Sequence, residues 1–155
     1  MTTTPDFLSR WRGSAAAERA NYQLFLTELC DYLSLPRPDP AVADTRRNAY
    51  VFERPVTLSD GFGESSTGFI DLYKRGCFVL EAKQGGLDTG PKSLFDADTY
   101  QTGRERRGIG IRASAGWDAA MKKARYQAER YAKSLPAEDG WPPFLITSDV
   151  GYSFG

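Results

Sequence analysis

Two adjacent segments rich in β-branched and aromatic residues constrain this chain most, because only a tight connection separates them. Residues 67–74 (TGFIDLYK) and 77–84 (CFVLEAKQ) have the composition of strands, and Arg75 and Gly76 join them. A link this short permits an antiparallel hairpin and excludes a parallel crossover, which needs a dozen or more residues. The short connection therefore determines how these two strands pair, and the other elements must pack around this hairpin.

A third strand and two helices are predicted around the hairpin. Residues 50–58 (YVFERPVTL) precede it as a strand, and Pro55 indicates that the second half of this strand lies at an edge or a bend. Residues 14–33 and 117–135 have apolar side chains at helical spacing, with Ser14 as a candidate N-cap of the first helix. The three strands together predict a β-meander.

The remaining segments are a loop and a last strand. Residues 85–116 are rich in Gly, Asp, Thr and Arg without periodicity, which predicts a long surface loop, and residues 143–150 (PFLITSDV) predict a short strand. The order of elements predicts one α/β domain over residues 1–155 with a mixed sheet. Because the chain ends at Gly155, directly after a strand, we expect it to be the N-terminal part of a longer protein.

Composition excludes several kinds of chemistry. The chain has no histidine, so a Ser-His or Cys-His nucleophile system cannot be built, and catalysis must use carboxylates, Lys, Tyr or a metal. Cys30 and Cys77 lack the spacing of a zinc site, and we expect both to be reduced. Lys+Arg and Asp+Glu are equal at 20 each, so net charge does not bear on nucleic-acid binding.

The sequence has no apolar run long enough to span a membrane and no signal-peptide core. We therefore expect the protein to be in the cytoplasm.

The hairpin carries three ionisable residues on one predicted face, Asp71 on its first strand and Glu81 with Lys83 on its second. If the connection is a three-residue one centred on Gly76, Asp71 lies opposite Glu81, and two opposed carboxylates destabilise a sheet. A hard divalent ion such as Mg2+ removes that cost, Lys83 can offset charge on a phosphate, and the carbonyl of Ala82 can add a ligand. The spacing alone is a weak pattern, and an ordinary polar strand face is the alternative.

This arrangement resembles the PD-(D/E)xK nucleases, and two further features resemble their RecB-like branch. Glu18, on the helix before the sheet, matches a position where that branch often supplies an extra metal ligand. Gln127 and Tyr131, four residues apart on one helix face, resemble its Q-x-x-x-Y motif. The resemblance implies a restriction-endonuclease-like mixed β-sheet flanked by helices, with Mg2+ or Mn2+ as cofactor. The alternative for Glu18 is that it is a solvated carboxylate and not a metal ligand. The alternative for Gln127 and Tyr131 is that they only pack against the sheet.

Almost the whole chain is similar to the N-terminal region of MmeI-like (type IIL) restriction-modification proteins and related large adenine DNA methyltransferases. Three stretches carry the similarity: FLSRWRGSAAAERANYQLFLTELCDYL, GFIDLYKRGCFVLEAKQ and WDAAMKKARYQAERYAKSLP. This implies a metal-dependent endonuclease that cleaves double-stranded DNA in phage defence, with a methyltransferase domain downstream. The sequence WPPF at 141–144 lacks the Asn or Asp of the methyltransferase tetrad, so this chain has no methyltransferase site. A catalytically silent DNA-binding module and a free-standing resolvase or repair nuclease are the alternatives.

Basic residues gather in two runs, at 104–112 and 122–130. The first run follows the candidate catalytic strand, and arginine pairs well with phosphate oxygens through its planar fork. We therefore expect contacts with the DNA backbone from Arg104, Arg106, Arg107, Arg112 and Lys122. A solvated basic face is the alternative.

Overall fold

The computed structural model describes residues 4–14, 18–59, 61–85 and 111–155, except for the side chain of Glu18. Its elements are α1 (Thr4–Arg12), α2 (Glu18–Tyr32), a 3-10 turn (Thr45–Arg47), β1 (Tyr50–Ser59), β2 (Ser65–Lys74), β3 (Phe78–Lys83), α3 (Ala115–Lys133), a second 3-10 turn (Ala137–Asp139), β4 (Phe144–Asp149) and β5 (Ser153–Phe154). The strands form one five-stranded sheet in the order β1-β2-β3-β4-β5. Strands β3 and β4 are parallel and the other neighbours are antiparallel, which confirms the predicted α/β fold with a mixed sheet.

The predicted meander is present, and its turn has the expected form. Residues 75–77 join β2 to β3, and Gly76 has φ of +63°, a left-handed conformation that is open to glycine at little cost. Cys77 therefore lies in the turn and not in the predicted strand. Pro55 lies on β1, an edge strand of the sheet, as the missing N–H of proline requires.

Helices cover both faces of the sheet and bury two separate cores. The core under α1 and α2 contains Phe7, Trp11, Tyr22, Phe25, Leu26, Leu72, Leu80, Ala82 and Val150. The core under α3 contains Val56, Leu58, Ile70, Tyr73, Val79, Ala128, Tyr131 and Ala132. Strand β3 divides its side chains between the two cores by simple alternation, because Val79 faces α3 while Leu80 and Ala82 face α2. None of the described helices is long and apolar enough to cross a membrane.

Strands β1 and β2 change faces partway along their length. Phe52 packs on the α2 side and Val56 on the α3 side, although strict alternation would keep both on one face. Between them, Glu53 has φ of +52°, a left-handed conformation that costs a glutamate about 1 to 2 kcal/mol. On β2 the same change separates Leu72 from Ile70. One long hairpin thereby contributes to both cores.

Three features of the fold differ from the sequence predictions. Helix α1 was not expected; it buries Phe7 and Trp11, one turn apart, against α2. Ser14 lies after α1, where its hydroxyl donates to the Trp11 carbonyl at 2.8 Å, so it does not cap α2, which begins at Glu18. The short edge strand β5 was also not expected.

Candidate active site

The candidate site lies where β2 and β3 separate. In the described strands their pairing covers Leu72↔Leu80, Tyr73↔Val79 and Lys74↔Phe78. Extending this register by one residue sets Asp71 opposite Glu81. Here the Ala82 N–H donates to the Asp71 carboxylate at 2.7 Å, while β3 continues to pair with β4 on its other side. The carboxylate of Asp71 is therefore fixed at the fork between the two strands.

Glu81 is completely buried and is held by α3. Its side chain is 0% exposed, and Gln127 Nε2 donates to Glu81 Oε2 at 2.7 Å. The same nitrogen donates to Tyr131 Oη at 3.1 Å, one helical turn further along. Glu81 projects from β3 on the side of Val79, which packs under α3. Gln127, the first position of the Q-x-x-x-Y resemblance, therefore contacts one of the three candidate catalytic side chains directly, and Tyr131, the second position, contacts Gln127.

On the side of α2, Tyr22 and Glu53 lie close to Asp71. The Tyr22 hydroxyl donates to a carboxylate oxygen of Glu53 and accepts from Gln23 Nε2 at 2.9 Å. Burial raises the pKa of Tyr22, and the negative charges of Glu53 and Asp71 add to that effect. The phenol therefore stays protonated and can donate to Glu53. Sequence reasoning missed this pair, because strict alternation along β1 and β2 gives no sign of the change of face at Glu53.

The strict alternation predicted for β2 is therefore wrong around Asp71. Ile70 and Tyr73 pack into the same core, although they are three residues apart. The physical reason is the left-handed backbone of Glu53, which turns both paired strands at this level. On β3 the predicted alternation holds, since Glu81 projects opposite to Ala82.

Lys83 is half-buried at the end of β3. Its ammonium donates to the carbonyl of Ala82 at 2.9 Å, the carbonyl that we expected to serve as a metal ligand. The predicted lysine and the predicted carbonyl thus meet at one point, next to the Asp71-bonded N–H of the same residue. Both backbone polar groups of Ala82, its N–H and its carbonyl, are therefore bonded to side chains of the candidate site.

Gln84 connects the end of β3 to the junction of α1 and α2. Its Oε1 accepts from Asn21 Nδ2 at 3.1 Å, and its Nε2 donates to Ser14 Oγ at 3.0 Å. These partners lie on either side of Glu18 in the chain, so the buried amide fixes the start of α2 next to the candidate site. The side chain of Glu18 lies outside the described part of the chain. The sequence analysis did not identify Gln84 as a site residue. The only indication in the sequence was that a polar residue follows directly after the E-x-K pattern.

Asp149 is a second buried carboxylate at this end of the sheet, and it is the Cα partner of Lys83 across β3 and β4. It is 0% exposed and accepts hydrogen bonds from the Gly85 N–H at 3.1 Å and from Trp117 Nε1 at 2.6 Å. Arg112 Nη2 lies 3.3 Å from the same carboxylate and donates to the Val150 carbonyl at 2.7 Å. The sequence analysis did not identify Asp149. The only indication of its role was that an acidic residue ends an otherwise apolar strand.

The positions expected to contact DNA have different outcomes. The side chain of Arg112 is 7% exposed and forms an ion pair with Asp149. This contact stabilises the fold, and we no longer count Arg112 among the residues expected to bind DNA. A guanidinium buried in this way cannot reach a phosphate without breaking that pair. Lys122 is exposed on α3. Arg104, Arg106 and Arg107 lie outside the described residues.

The donors present fit a magnesium ion that shares its coordination with substrate. Among the described residues, no three His, Cys, Asp or Glu side chains come close enough together to hold a metal. Mg2+ generally takes one or two protein carboxylates and completes its octahedron with water and phosphate oxygens. Asp71 and Glu81, opposed at the fork, supply this kind of donor set.

The chain matches one known protein family over nearly all of its length. Comparison with curated proteins and with solved structures gives no significant match. A family model described as "MmeI, N-terminal domain" matches residues 3–152, which is nearly the whole chain. The chain therefore belongs to the MmeI N-terminal domain family, which associates it with restriction-modification.

Proposed function

We propose that this chain is a metal-dependent endonuclease domain that hydrolyses phosphodiester bonds of double-stranded DNA, beside a methyltransferase domain of the same restriction-modification protein. The observation that carries the proposal is the buried Glu81 carboxylate, which Gln127 of α3 holds at the fork where Asp71 also lies. A buried carboxylate is costly, and one held beside a second carboxylate is a candidate for metal-dependent chemistry. The family supports the restriction-modification setting.

Asp71 and Glu81 would hold Mg2+ or Mn2+, which when bound supplies positive charge to the phosphate. Each carboxylate is oriented by a hydrogen bond from a neutral group, the Ala82 N–H for Asp71 and the Gln127 amide for Glu81. Such bonds fix the carboxylate oxygens without cancelling their negative charge. Tyr131 accepts from the same Gln127 nitrogen, which restrains the amide in the orientation that Glu81 needs.

Lys83 would supply the cation that stabilises the transition state. Its ammonium donates to the carbonyl of Ala82, the residue whose N–H donates to Asp71. A flexible four-carbon stem lets it turn from this carbonyl to a phosphate oxygen while the strand stays in place. There its charge would offset the negative charge that develops during hydrolysis, a contribution made mainly in the transition state.

A metal titration tests the proposal without requiring turnover. The melting temperatures of the wild type, Asp71→Ala and Glu138→Ala are measured against increasing Mg2+ and Mn2+; Glu138 is an exposed carboxylate near the other end of the sheet. Binding to the folded state stabilises it by about 2.7 kcal/mol at a hundred times the dissociation constant. We expect stabilisation of the wild type and of Glu138→Ala, but not of Asp71→Ala.

The other outcomes are equally informative. If no metal stabilises the wild type, the chain fits the second function, a catalytically silent DNA-binding module attached to a methyltransferase. If Asp71→Ala is stabilised as much as the wild type, the metal site is not at the fork.

A further inference from the structure

Gly68 lies within β2, and its backbone conformation does not require glycine. The described glycines at turns, such as Gly61 and Gly76, have left-handed φ values of +81° and +63°, and Gly68 is not among them. It pairs with Val56 in the regular register of β1 and β2. A glycine inside a strand weakens the strand, because it costs more backbone entropy on folding and has no side chain to pack. The missing side chain therefore has its reason in the packing around this position.

The ring of Tyr131 occupies the place where a side chain of residue 68 would lie. A Cβ atom built onto Gly68 is 2.5 Å from Tyr131 Cε1, 3.1 Å from Tyr131 Cζ and 3.0 Å from Leu58 Cδ1. Nonbonded carbon atoms attract each other best at about 3.5 to 4.0 Å, so a methyl group and this ring overlap. Leu58 has a flexible side chain that can turn aside, whereas the Tyr131 ring is rigid and buried in the core under α3. The hydroxyl end of the ring thus lies directly on the bare backbone of β2.

Two hydrogen bonds connect this contact to the candidate site. Cζ of Tyr131 carries the hydroxyl oxygen, which accepts from Gln127 Nε2 at 3.1 Å. The same Gln127 nitrogen donates to Glu81 Oε2 at 2.7 Å. Gly68 also lies three residues before Asp71 on the same strand. It is therefore next to the helix residues that hold one candidate carboxylate and on the strand that carries the other.

A methyl group at this position can be accommodated in three ways, and each of them changes the candidate site. If the Tyr131 ring moves away alone, its hydroxyl leaves Gln127. If α3 moves away with the ring, Gln127 withdraws from Glu81. If β2 moves instead, Asp71 moves with its strand, because the described pairing between β2 and β3 begins only at Leu72. The positions of both carboxylates thus depend on the close approach of Tyr131 to β2.

We propose that Gly68 is a positioning residue of the candidate active site. Its lack of a side chain lets the Tyr131 ring lie on β2, and the ring, through Gln127, fixes the orientation of the Glu81 carboxylate. Gly68 has no group that touches metal or substrate, so its effect arises from the contact with Tyr131. The inference rests on the proposed function, in which Glu81 is a metal ligand.

Gly68→Ala tests the assignment, with Gly116→Ala as the matched control. Gly116 lies in the first turn of α3, and a Cβ atom there has the Ser114 hydroxyl oxygen 3.7 Å away, which is ordinary contact. Mn2+ affinity is measured for both variants and the wild type by isothermal titration calorimetry, and circular dichroism shows whether each protein is folded. Loss of a group that orients a metal ligand lowers metal affinity by about 10- to 100-fold. We expect a loss of this size for Gly68→Ala and wild-type affinity for Gly116→Ala.

A second variant distinguishes this role from general damage to the fold. Tyr131→Leu removes the ring that meets the added methyl group, so Gly68→Ala combined with Tyr131→Leu should be free of the overlap. We expect the double variant to bind Mn2+ as tightly as Tyr131→Leu alone and more tightly than Gly68→Ala alone. A double-mutant cycle of this kind measures the coupling between two residues in contact. If Gly68→Ala alone does not fold, the double variant should regain both the folded state and the Mn2+ affinity of Tyr131→Leu.

Several results would overturn the inference. Wild-type Mn2+ affinity in Gly68→Ala would show that the position of the ring does not matter to the site. A double variant that binds no more tightly than Gly68→Ala alone, or that does not fold, would show that the overlap with Tyr131 is not the cause. In both cases the wild type still binds Mn2+, and the proposed function is not affected. If the wild type binds no Mn2+, the proposed function and this inference both fail.

Discussion

Two buried carboxylates near opposite ends of the sheet are stabilised in different ways. Asp139 is 2% exposed and forms ion pairs with Arg54 at 3.0 Å and Arg75 at 2.8 Å, near the β2–β3 turn. Glu81, at the other end, accepts a hydrogen bond from the neutral amide of Gln127. The chain neutralises Asp139 with its own guanidinium groups, whereas the amide orients Glu81 without adding positive charge.

The comparison shows that two carboxylates with nearly the same burial can have different kinds of partner. The Asp139 carboxylate forms ion pairs with two guanidinium groups, and the Arg54 guanidinium also lies 5.4 Å from the centre of the Tyr73 ring. Its role is to join the 3-10 turn after α3 to β1 and to the β2–β3 turn. At the candidate site, the Ala82 N–H donates to Asp71 and the Gln127 amide donates to Glu81, and both of these donors are neutral.

Removing Asp139 gives the largest expected effect on folding. Asp139→Ala leaves two guanidinium groups without their common anion, one of them buried, and loss of one partner of a buried pair costs about 3 to 5 kcal/mol. Chemical denaturation measures the free energy of unfolding. The control is Glu138→Ala, an exposed neighbour that should change it by less than about 0.5 kcal/mol. A loss for Asp139→Ala no larger than that of the control would end the distinction between the two carboxylates.

Changes at the fork should instead affect activity. Asp71→Ala, Glu81→Ala and Lys83→Ala should each reduce DNA cleavage by at least about a hundredfold, because each removes transition-state stabilisation. Glu81→Gln provides the matched control for folding, since it keeps the shape of the buried side chain. Cleavage is measured in the longest natural form of the protein, with circular dichroism as a check on structure. Near-wild-type cleavage by any one variant removes that residue from the site.

The Asp139 cluster should also respond to alkaline pH. Burial raises the pKa of Tyr73 to about 12 from its usual 10, and the negative charge of the nearby Asp139 adds to this. A raised pKa means that the folded state favours the protonated phenol, so the contribution to stability is complete below pH 10 and is lost as pH rises toward 12. A difference of two pKa units corresponds to about 2 to 3 kcal/mol.

This pH dependence is measured as the free energy of unfolding between pH 9 and pH 12 for the wild type, Tyr73→Phe and Tyr126→Phe. Tyr73→Phe should lose stability less steeply than the wild type above pH 10. Tyr126 is exposed, so Tyr126→Phe should follow the wild type. Parallel curves for all three proteins would contradict the raised pKa.

The smallest effect is expected at Tyr131. Tyr131→Phe removes the hydroxyl that accepts from Gln127, a loss of about 0.5 to 1.5 kcal/mol. Because Gln127 still donates to Glu81, cleavage should fall less in this variant than in Gln127→Leu, which removes the bond to Glu81 itself. Equal losses of cleavage in the two variants would show that Tyr131 acts on the reaction directly and not through Gln127.

The hairpin and its three ionisable residues could be predicted because the evidence for them is local. A tight connection fixes the register of two adjacent strands, and the register determines which residues oppose each other. Gln127 and Tyr131 were found through a resemblance, since nothing in the periodicity of α3 distinguishes them from packing residues. The two expected helices and β4 followed from apolar spacing, with errors at their ends.

The missed parts depend on contacts between residues distant in the chain. Gln84 bonds Ser14 across 70 positions, and Gly85 bonds Asp149 across 64. No local pattern reports such pairs. The change of face at Glu53 was missed for another reason: the left-handed backbone is unfavourable for glutamate, so propensity predicts a regular strand there. Arg112 was assigned to DNA because a basic residue in a predicted loop gives no sign of the buried aspartate that it meets.

Asp149 has a consequence for how this fold tolerates change. Its carboxylate binds Gly85, where β3 ends, and Arg112 and Trp117, which precede and begin α3, so one side chain holds both ends of the intervening chain together. Because these donors come from segments distant in the chain and share one carboxylate, replacing Asp149 would release the end of β3 and the start of α3 together. The hydrogen bond from Gln127 to Glu81, which joins the same strand to the same helix, therefore depends on Asp149 as well.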